Sequence, residues 1–256
     1  MLAIERKNEI LGRLRNEKRV LVSELAEYYN VTEETIRRDL DKLEKEGYAT
    51  KTYGGAILGN STKTDLSYTI RNKTNVEAKN QIAAIASRLI EDGDHLMLDD
   101  SSTSLYLAKK LKEKKNLTVI TNSVELASEI CSIESWNVYM PGGQLRPESM
   151  ALSGPASYEI LHTYHVDKTL FSCKGIDMEA AITDSNDLHA EVKHAMVRAA
   201  KQPILVVDGS KFDKVSFVSI AKLKEVSIVV TNYRPSQEWM RCFARHGIQC
   251  VFPEEK

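Results

Sequence analysis

Six consecutive residues, Asp99-Asp100-Ser101-Ser102-Thr103-Ser104, hold the densest chemistry in the sequence. They separate an apolar run, His95 to Leu98, from a helical pattern running from Thr103 to Leu111. Hydroxyls and unpaired backbone N–H groups at a helix start favour an anion such as phosphate, because the helix dipole is positive there. A plain Ser/Thr cap is the simpler account, but four hydroxyls exceed what one cap needs. The two aspartates would repel a phosphate unless they face its sugar or a cation. Three more stretches follow apolar runs in the same way. Thr121-Asn122-Ser123 is polar, and Pro141-Gly142-Gly143 lets backbone approach a ligand closely. Asp208-Gly209-Ser210-Lys211-Phe212 offers a lysine that can neutralise a phosphate, and Lys193, in Glu191-Val192-Lys193, adds a cation in the first turn of a helix. Each alone is an ordinary turn or a solvated lysine; together they point to a small polar ligand.

A second chemistry is carried by Val31 to Leu40, V-T-E-E-T-I-R-R-D-L. Thr32 is a good helix N-cap, Glu33 and Glu34 suit the first turn, and Ile36, Leu40 and Leu43 recur at helical spacing. The opposite face carries Arg38, Lys42 and Lys45, with Thr35 and Arg37 on its flanks. This geometry makes Thr35, Arg38 and Lys42 candidates for groove and base-edge contact, and Arg37, Lys45 and Lys51 candidates for phosphates. Asp39 lies near the apolar side and reads as an acceptor bonding within its own domain.

The elements that must position these residues fall into two groups. Ile4, Ile10, Leu11 and Leu14 suit a first helix, Val22, Leu25, Ala26 and Tyr29 a second, and a third runs from Thr32 to a C′ glycine at Gly47. Tyr48 to Tyr53 reads as a short strand and Gly54-Gly55 as a turn, giving a small wing behind a helix-turn-helix. A polar run from Gly59 to Thr64 makes 59–76 the linker, and a Thr74-x-x-Glu77 capping box opens the next helix. Beyond it, apolar runs at His95–Leu98, Leu117–Ile120, Asn137–Met140, Thr169–Phe171, Ile204–Val207, Val226–Val230 and Ile248–Phe252 alternate with helical patterns, notably at Thr103–Leu111, Val124–Ile130, Glu191–Ala200 and Pro235–His246. That alternation predicts an α/β domain with a mostly parallel sheet, whose ligands sit past the strands' carboxyl ends.

Composition limits the alternatives. The 256 residues, 42% hydrophobic and 28% charged, suffice for a sizeable core. Net charge is -1, and residues 1–58 carry eleven Lys+Arg against eleven Asp+Glu, so polyanion binding must come from placement. No apolar run is long enough to span a bilayer, and no membrane partner is expected. Cys131, Cys173, Cys242 and Cys250 lack metal spacing and read as four buried thiols in a reducing cytoplasm. His189, Glu191 and His194 fit no standard metal spacing, and exposed helix residues are the simpler account; no metal and no cofactor are expected.

R-x-x-x-I-x-x-x-L from Arg6 to Leu14, T-x-x-T-I-R-R-D-L from Thr32 to Leu40 and Y-G-G-A from Tyr53 to Ala56 closely resemble the N-terminal signature of the DeoR family of bacterial sugar-catabolism repressors. L-D-D-S-S-T-S, T-N-S, G-G-Q-L-R-P-E-S, S-G-P-A, K-G-I-D, E-V-K and D-G-S-K-F follow in the order of that family's sensor domain. The resemblance implies an N-terminal winged helix-turn-helix over 1–58, with a recognition helix from Thr32 to about Glu46. It implies a sensor domain over 77–256, similar in fold to ribose-5-phosphate isomerase, that binds phosphorylated sugars or related metabolites. Ser102, Thr103 and Ser104 match the family's phosphate loop, Asp99 its preceding acid, Lys193 the E-V-K lysine and Lys211 the S-K-F lysine. Thr121, Asn122, Gly142, Gly143 and Gly175 complete the expected effector site. Ser101 stands where the family commonly has Gly, and its side chain would narrow the loop. Lys174 departs too, adding a charge to the pocket or pointing to solvent.

The leading reading is a repressor of a carbohydrate operon, a homodimer or higher homo-oligomer that binds double-stranded operator DNA and is released by a phosphorylated sugar. A sugar-phosphate isomerase, with Asp177 or Glu191 as base, is the enzyme alternative. An interaction module without a ligand is the third.

Overall fold

The computed structural model describes residues 2–45, 48–58 and 68–253. The helix end expected at Glu46-Gly47 and the linker over 59–67 lie outside the described residues. The chain divides into two compact units, Met1–Ser67 and Tyr68–Lys256.

In the first unit, α1 (Ala3–Glu17) leads through β1 (Arg19–Leu21) into α2 (Val22–Tyr29), then α3 (Glu33–Lys45), β2 (Ala49–Thr52) and β3 (Gly55–Leu58). Asn30 ends α2 in the left-handed region, at φ 51°, which Asn tolerates better than most residues. Thr32 then starts α3, its hydroxyl accepting the Thr35 N–H at 3.3 Å. Ile10, Leu14, Leu25, Ile36, Leu40 and Leu43 meet in one core. The three strands form an antiparallel sheet in the order β1-β3-β2, which includes the expected wing. β1 is an addition. The turn differs as well: Gly54, at φ 85°, is in it, but Gly55 already lies in β3, where a Cβ would run into the Val20 carbonyl. Arg6 Nε donates to Asp39 Oδ2 at 2.6 Å with both residues buried, tying α1 to α3 as the position of Asp39 predicts.

The second unit begins earlier than composition suggests. Residues 68–76, assigned to the linker, carry α4 (Tyr68–Lys73) and lead into α5 (Val76–Ala86). The capping box does not form: the Thr74 hydroxyl donates to the Ile70 carbonyl at 2.9 Å, closing α4, and Asn75 is the residue that precedes α5. Then come β4 (His95–Leu98), α6 (Ser102–Lys110), β5 (Thr118–Thr121), α7 (Val124–Ile130), β6 (Asn137–Tyr139), β7 (Gln144–Arg146), β8 (Ala151–Ser153), α8 (Pro155–Leu161) and β9 (Val166–Phe171). β10 (Gly175–Asp177), β11 (Ala181–Asp184), α9 (Asp187–Ala199), β12 (Ala200–Val206), β13 (Val218–Ala221), β14 (Ile228–Val230), α10 (Gln237–Arg245) and β15 (Gln249–Val251) complete it.

Seven strands form one sheet in the order β15-β14-β12-β9-β4-β5-β6, and every neighbouring pair in it is parallel. Each of the seven apolar runs supplies one of these strands. Alternate residues of β4 feed opposite faces: Leu96 and Leu98 pack with Ile82, Leu107 and Leu126, whereas Met97 packs with Val192 and Met196. Helices therefore cover both faces, which explains the continuous apolar runs. The small antiparallel pieces, β7-β8 and β10-β11-β13, are not anticipated by periodicity. Two expected burials also differ: Cys131 is exposed and Cys250 is only half-buried, while Cys173 and Cys242 are buried.

Replacing Asp39 by Ala leaves the Arg6 guanidinium buried without its carboxylate, and loss of one partner of such a pair costs about 3–5 kcal/mol. Amide exchange of Ile36 and Leu40 in the full chain should accelerate accordingly; a loss below about 1 kcal/mol would show that the pair is not a brace.

Candidate DNA-recognition surface and effector site

On α3 the apolar side, Ile36, Leu40 and Leu43, is buried, and Arg37, Arg38 and Lys42 are exposed. The cations already have partners nearby. Arg37 Nη2 lies 2.6 Å from Glu33 Oε2 and Arg38 Nε 3.5 Å from Glu34 Oε1, each one turn back on the same helix. In the wing, Lys51 Nζ donates to Asp41 Oδ1 at 2.5 Å; that bond, then the Asp41 charge, raises the Lys51 ammonium above the ordinary lysine range. Exposed pairs of this kind are weak and screened by solvent, so a phosphate can take over the cation at small cost. Thr35 is half-buried, its hydroxyl 2.9 Å from that of Thr32. The Lys45 side chain lies outside the described residues. Tyr53, fully exposed at the wing tip beside Gly54, is a further candidate that the strand pattern does not single out.

In the second unit the centre is Lys193. Its ammonium, on the first turns of α9, donates to Asp184 Oδ2 at 2.6 Å and lies 3.5 Å from Asp99 Oδ2, with all three side chains buried. Burial disfavours the charge, but Asp184, Asp99 and Asp100 outweigh it and hold the ammonium above the ordinary lysine range. Burial likewise pushes the Asp184 carboxyl upward, and Lys193 with Lys174 more than reverses this. Asp99 is fully engaged: Oδ1 accepts from the Ser101 hydroxyl at 2.6 Å and the Ser104 hydroxyl at 2.5 Å, and Oδ2 from the Ser172 N–H at 2.9 Å. The Ser101 hydroxyl also accepts the Ser104 N–H at 3.1 Å, so it caps α6 and braces the loop. Ser102 donates to the Arg71 carbonyl of α4 at 3.3 Å.

Asp100 has a different set of neighbours. Its Oδ2 lies 3.3 Å from His189 Nδ1 and 3.6 Å from Arg71 Nη2. Burial opposes its charge, but His189, Lys193 and Arg71 hold the carboxyl well below the usual range. His189 is therefore buried rather than an exposed helix residue, and the His194 ring nitrogen is 2.9 Å from the Ile220 carbonyl. Among the described residues no group of three or more His, Cys, Asp or Glu could hold a metal ion. Lys79 and Arg71 belong to the site's surroundings although their spacing gives no sign of it. Lys79 Nζ donates to the Arg71 and Thr74 carbonyls at the end of α4, and burial brings this buried lysine down to about 8.

The remaining expected residues divide. Thr121 and Asn122 are buried at the end of β5; Thr121 Oγ1 accepts the Ser123 N–H at 3.1 Å and Asn122 Nδ2 donates to the Leu152 carbonyl at 3.1 Å. Lys211 is half-buried, beside Asp208, whose carboxyl is buried yet lowered by Lys211 and the Ser210 N–H. Asn75, Gln81, Asp208, Ser210 and Asn232 line a cleft of about 540 Å³ there. Gly143 and Gly175 have protein backbone where a ligand was expected: a Cβ at Gly143 would meet Ser157 and the Ser153 carbonyl, and one at Gly175 the Lys214 carbonyl. Gly142 takes φ 72° and its carbonyl accepts the Ser157 hydroxyl at 2.5 Å.

These two units match known families. A model described as DeoR-like helix-turn-helix domain matches residues 6–62, and one described as DeoR C terminal sensor domain matches residues 74–233. The chain belongs to the DeoR family. Among its DeoR-family relatives are the HTH-type transcriptional regulator YulB of Bacillus subtilis, 40% identical over 91% of this chain and 90% of that one, and the HTH-type transcriptional repressor GlcR of the same species, 37% identical over 98% and 96%. The glycerol-3-phosphate regulon repressor of Escherichia coli is 27% identical over 97% and 98%. Similar solved structures include ribose 5-phosphate isomerase A from Methanocaldococcus jannaschii, 18% identical over 54% of this chain and 55% of that one, with a TM-score of 0.40. No helix among the described residues is long and apolar enough to cross a membrane.

The charge network of this DeoR-family sensor has a definite pH signature. Asp184 is lowered in the native state, so its contribution is present above about pH 3.9 and is lost as pH falls further. Lys193 is raised, so its contribution is present below about pH 10.4 and is lost as pH rises further. Lys193→Met leaves two buried carboxylates without their cation, a loss of about 3–5 kcal/mol. Its melting temperature at pH 7 should drop sharply and recover on acidification, as one carboxyl takes up a proton. An acid-induced recovery of equal size in the parent protein would contradict this assignment.

Proposed function

We propose that this regulator represses a carbohydrate catabolism or transport operon and is relieved by a phosphorylated sugar bound at the sheet's carboxyl end. The observation that carries the DNA half is the exposed Arg37, Arg38 and Lys42 on a helix whose other side is packed into a braced core. Arg38 and Lys42 with Thr35 read base edges, and Arg37, Lys45 and Lys51 meet phosphates. The effector half rests on the polar convergence past β4, β5, β9 and β12, with Ser102, Thr103, Lys174 and Lys211 as phosphate partners. Ser101, Ser104, Asp99 and Lys193 act as its frame. The name of GlcR agrees with a repressor, and that of the glycerol-3-phosphate regulon repressor with one linked to a phosphorylated metabolite. A homodimer or larger assembly in the cytoplasm, with its two recognition helices in successive major grooves, suits a palindromic site.

An isomerase reading finds less support. The Asp177 carboxylate is occupied by the Glu179 and Ala180 N–H groups of the β10–β11 turn, and Glu191 lies exposed on α9.

Operator binding with and without sugar phosphates tests the whole reading. The active metabolite should weaken DNA affinity roughly 5- to 150-fold, a coupling of about 1–3 kcal/mol. Arg38→Ala should cost roughly 1–3 kcal/mol of specific binding and leave the fold unchanged. Because residues 1–58 carry equal numbers of cations and acids, log affinity should depend only weakly on log salt. Specific binding that survives Arg38→Ala undiminished would remove α3's cationic face from the groove.

A further inference from the structure

Two buried acceptors at adjacent strand ends are left without hydrogen-bond partners: Asp100 Oδ1 past β4 and Asn122 Oδ1 past β5. The two strands are parallel neighbours, with Leu98 opposite Thr121, so these residues follow the last paired positions. Asp100 is 2% exposed and Asn122 fully buried. In each, the other polar atom is held. Asp100 Oδ2 faces His189 and Arg71, and Asn122 Nδ2 donates to the Leu152 carbonyl at 3.1 Å. Flipping the Asn122 amide would set oxygen against oxygen, so the open atom is the acceptor.

A buried acceptor left unpaired is costly, and a pair of them on neighbouring strands calls for a group that donates. A phosphate dianion cannot serve, since it offers acceptors only and carries the same charge as Asp100. Hydroxyls can. By contrast the Asp99 carboxylate, one residue earlier, has both oxygens engaged by protein groups.

We propose that Asp100 and Asn122 form a hydroxyl-reading subsite, which accepts hydrogen bonds from two hydroxyls of a polyhydroxylated ligand and so sets its specificity. This rests on the sugar-phosphate reading above for the presence of a phosphate, and not for the hydroxyls. Asp100 and Asn122 recognise the carbon skeleton, and the α6 N-terminus with Ser102 and Thr103 faces the anionic group. The subsite discriminates steeply, because an analogue that lacks the hydroxyl leaves a buried acceptor unpaired again.

The test uses the full-length protein and calorimetric titration with ribose 5-phosphate, glucose 6-phosphate, fructose 6-phosphate and glycerol 3-phosphate, inorganic phosphate, the unphosphorylated sugars, and deoxy analogues. For the tightest ligand, loss of one hydroxyl in the best-discriminated position should weaken binding at least about tenfold. Asn122→Leu and, separately, Asp100→Asn should reduce that discrimination to about twofold or less while changing affinity for inorganic phosphate less than about threefold. Asn122→Leu is the check should Asp100→Asn fold poorly, and the deoxy series on the parent protein needs no variant at all. Phosphosugar binding in which no deoxy analogue is discriminated overturns this inference and leaves the sugar-phosphate reading intact. Binding of an unphosphorylated polyol that depends on Asp100 and Asn122 does the reverse. Binding by none of the probes overturns both.

Discussion

One buried ammonium holds the effector side of this protein together. Lys193 answers three carboxylates from two places in the chain: Asp99 and, at longer range, Asp100 just past β4, and Asp184 at the end of β11. Through Asp99 the same charge reaches the loop before α6 and the backbone after β9, since Ser101, Ser104 and Ser172 all bond to that carboxylate. A buried cation among acids is stable only if the geometry is complete, so these segments are fixed together or not at all. The arrangement also reassigns the hydroxyl loop. Two of its serines face inward to an aspartate, which leaves the remaining hydroxyls, the backbone and the helix dipole for the anion proposed there.

The recognition helix obeys a complementary rule. Glu33 and Glu34 sit in the first turn, where the dipole favours them, and pair with Arg37 and Arg38 a turn later. The cations are thereby paired without a strong bond to lose. A domain with no net charge thus still presents exposed cations along one face of α3 and in the wing.

Much of this was legible in the residues, for identifiable reasons. The inner strands of the parallel sheet are largely buried, so each contains a short apolar run, and the edge strands β6 and β15, which are more exposed, still follow the same alternation with helices. The face of α3 follows from Ile36, Leu40 and Leu43 at a 3.6-residue period. What escaped reading is what depends on distant partners. β1 is three residues long, too short for an alternation to stand out, and exists because β3 lies beside it. α4 is only six residues long and is held from outside, by Lys79 on the carbonyls at its end and by Arg71 against Asp100. Gly143 and Gly175 look like places for a ligand, yet Ser157 and Lys214 of the chain itself come that close. The sequence marks a glycine's permissiveness but not what uses it.

The topology of the sheet sets an order on synthesis. The first unit closes once β3, ending at Leu58, can pair with β1. The second cannot assemble its middle until β9, ending at Phe171, has emerged to sit between β4 and β12, because parallel neighbours here are joined by long connections. At ribosomal speeds of about 5–20 residues per second, the intervening stretch takes on the order of 5–20 s. A newborn chain therefore owns a folded DNA reader for some seconds before it owns the sensor that governs it.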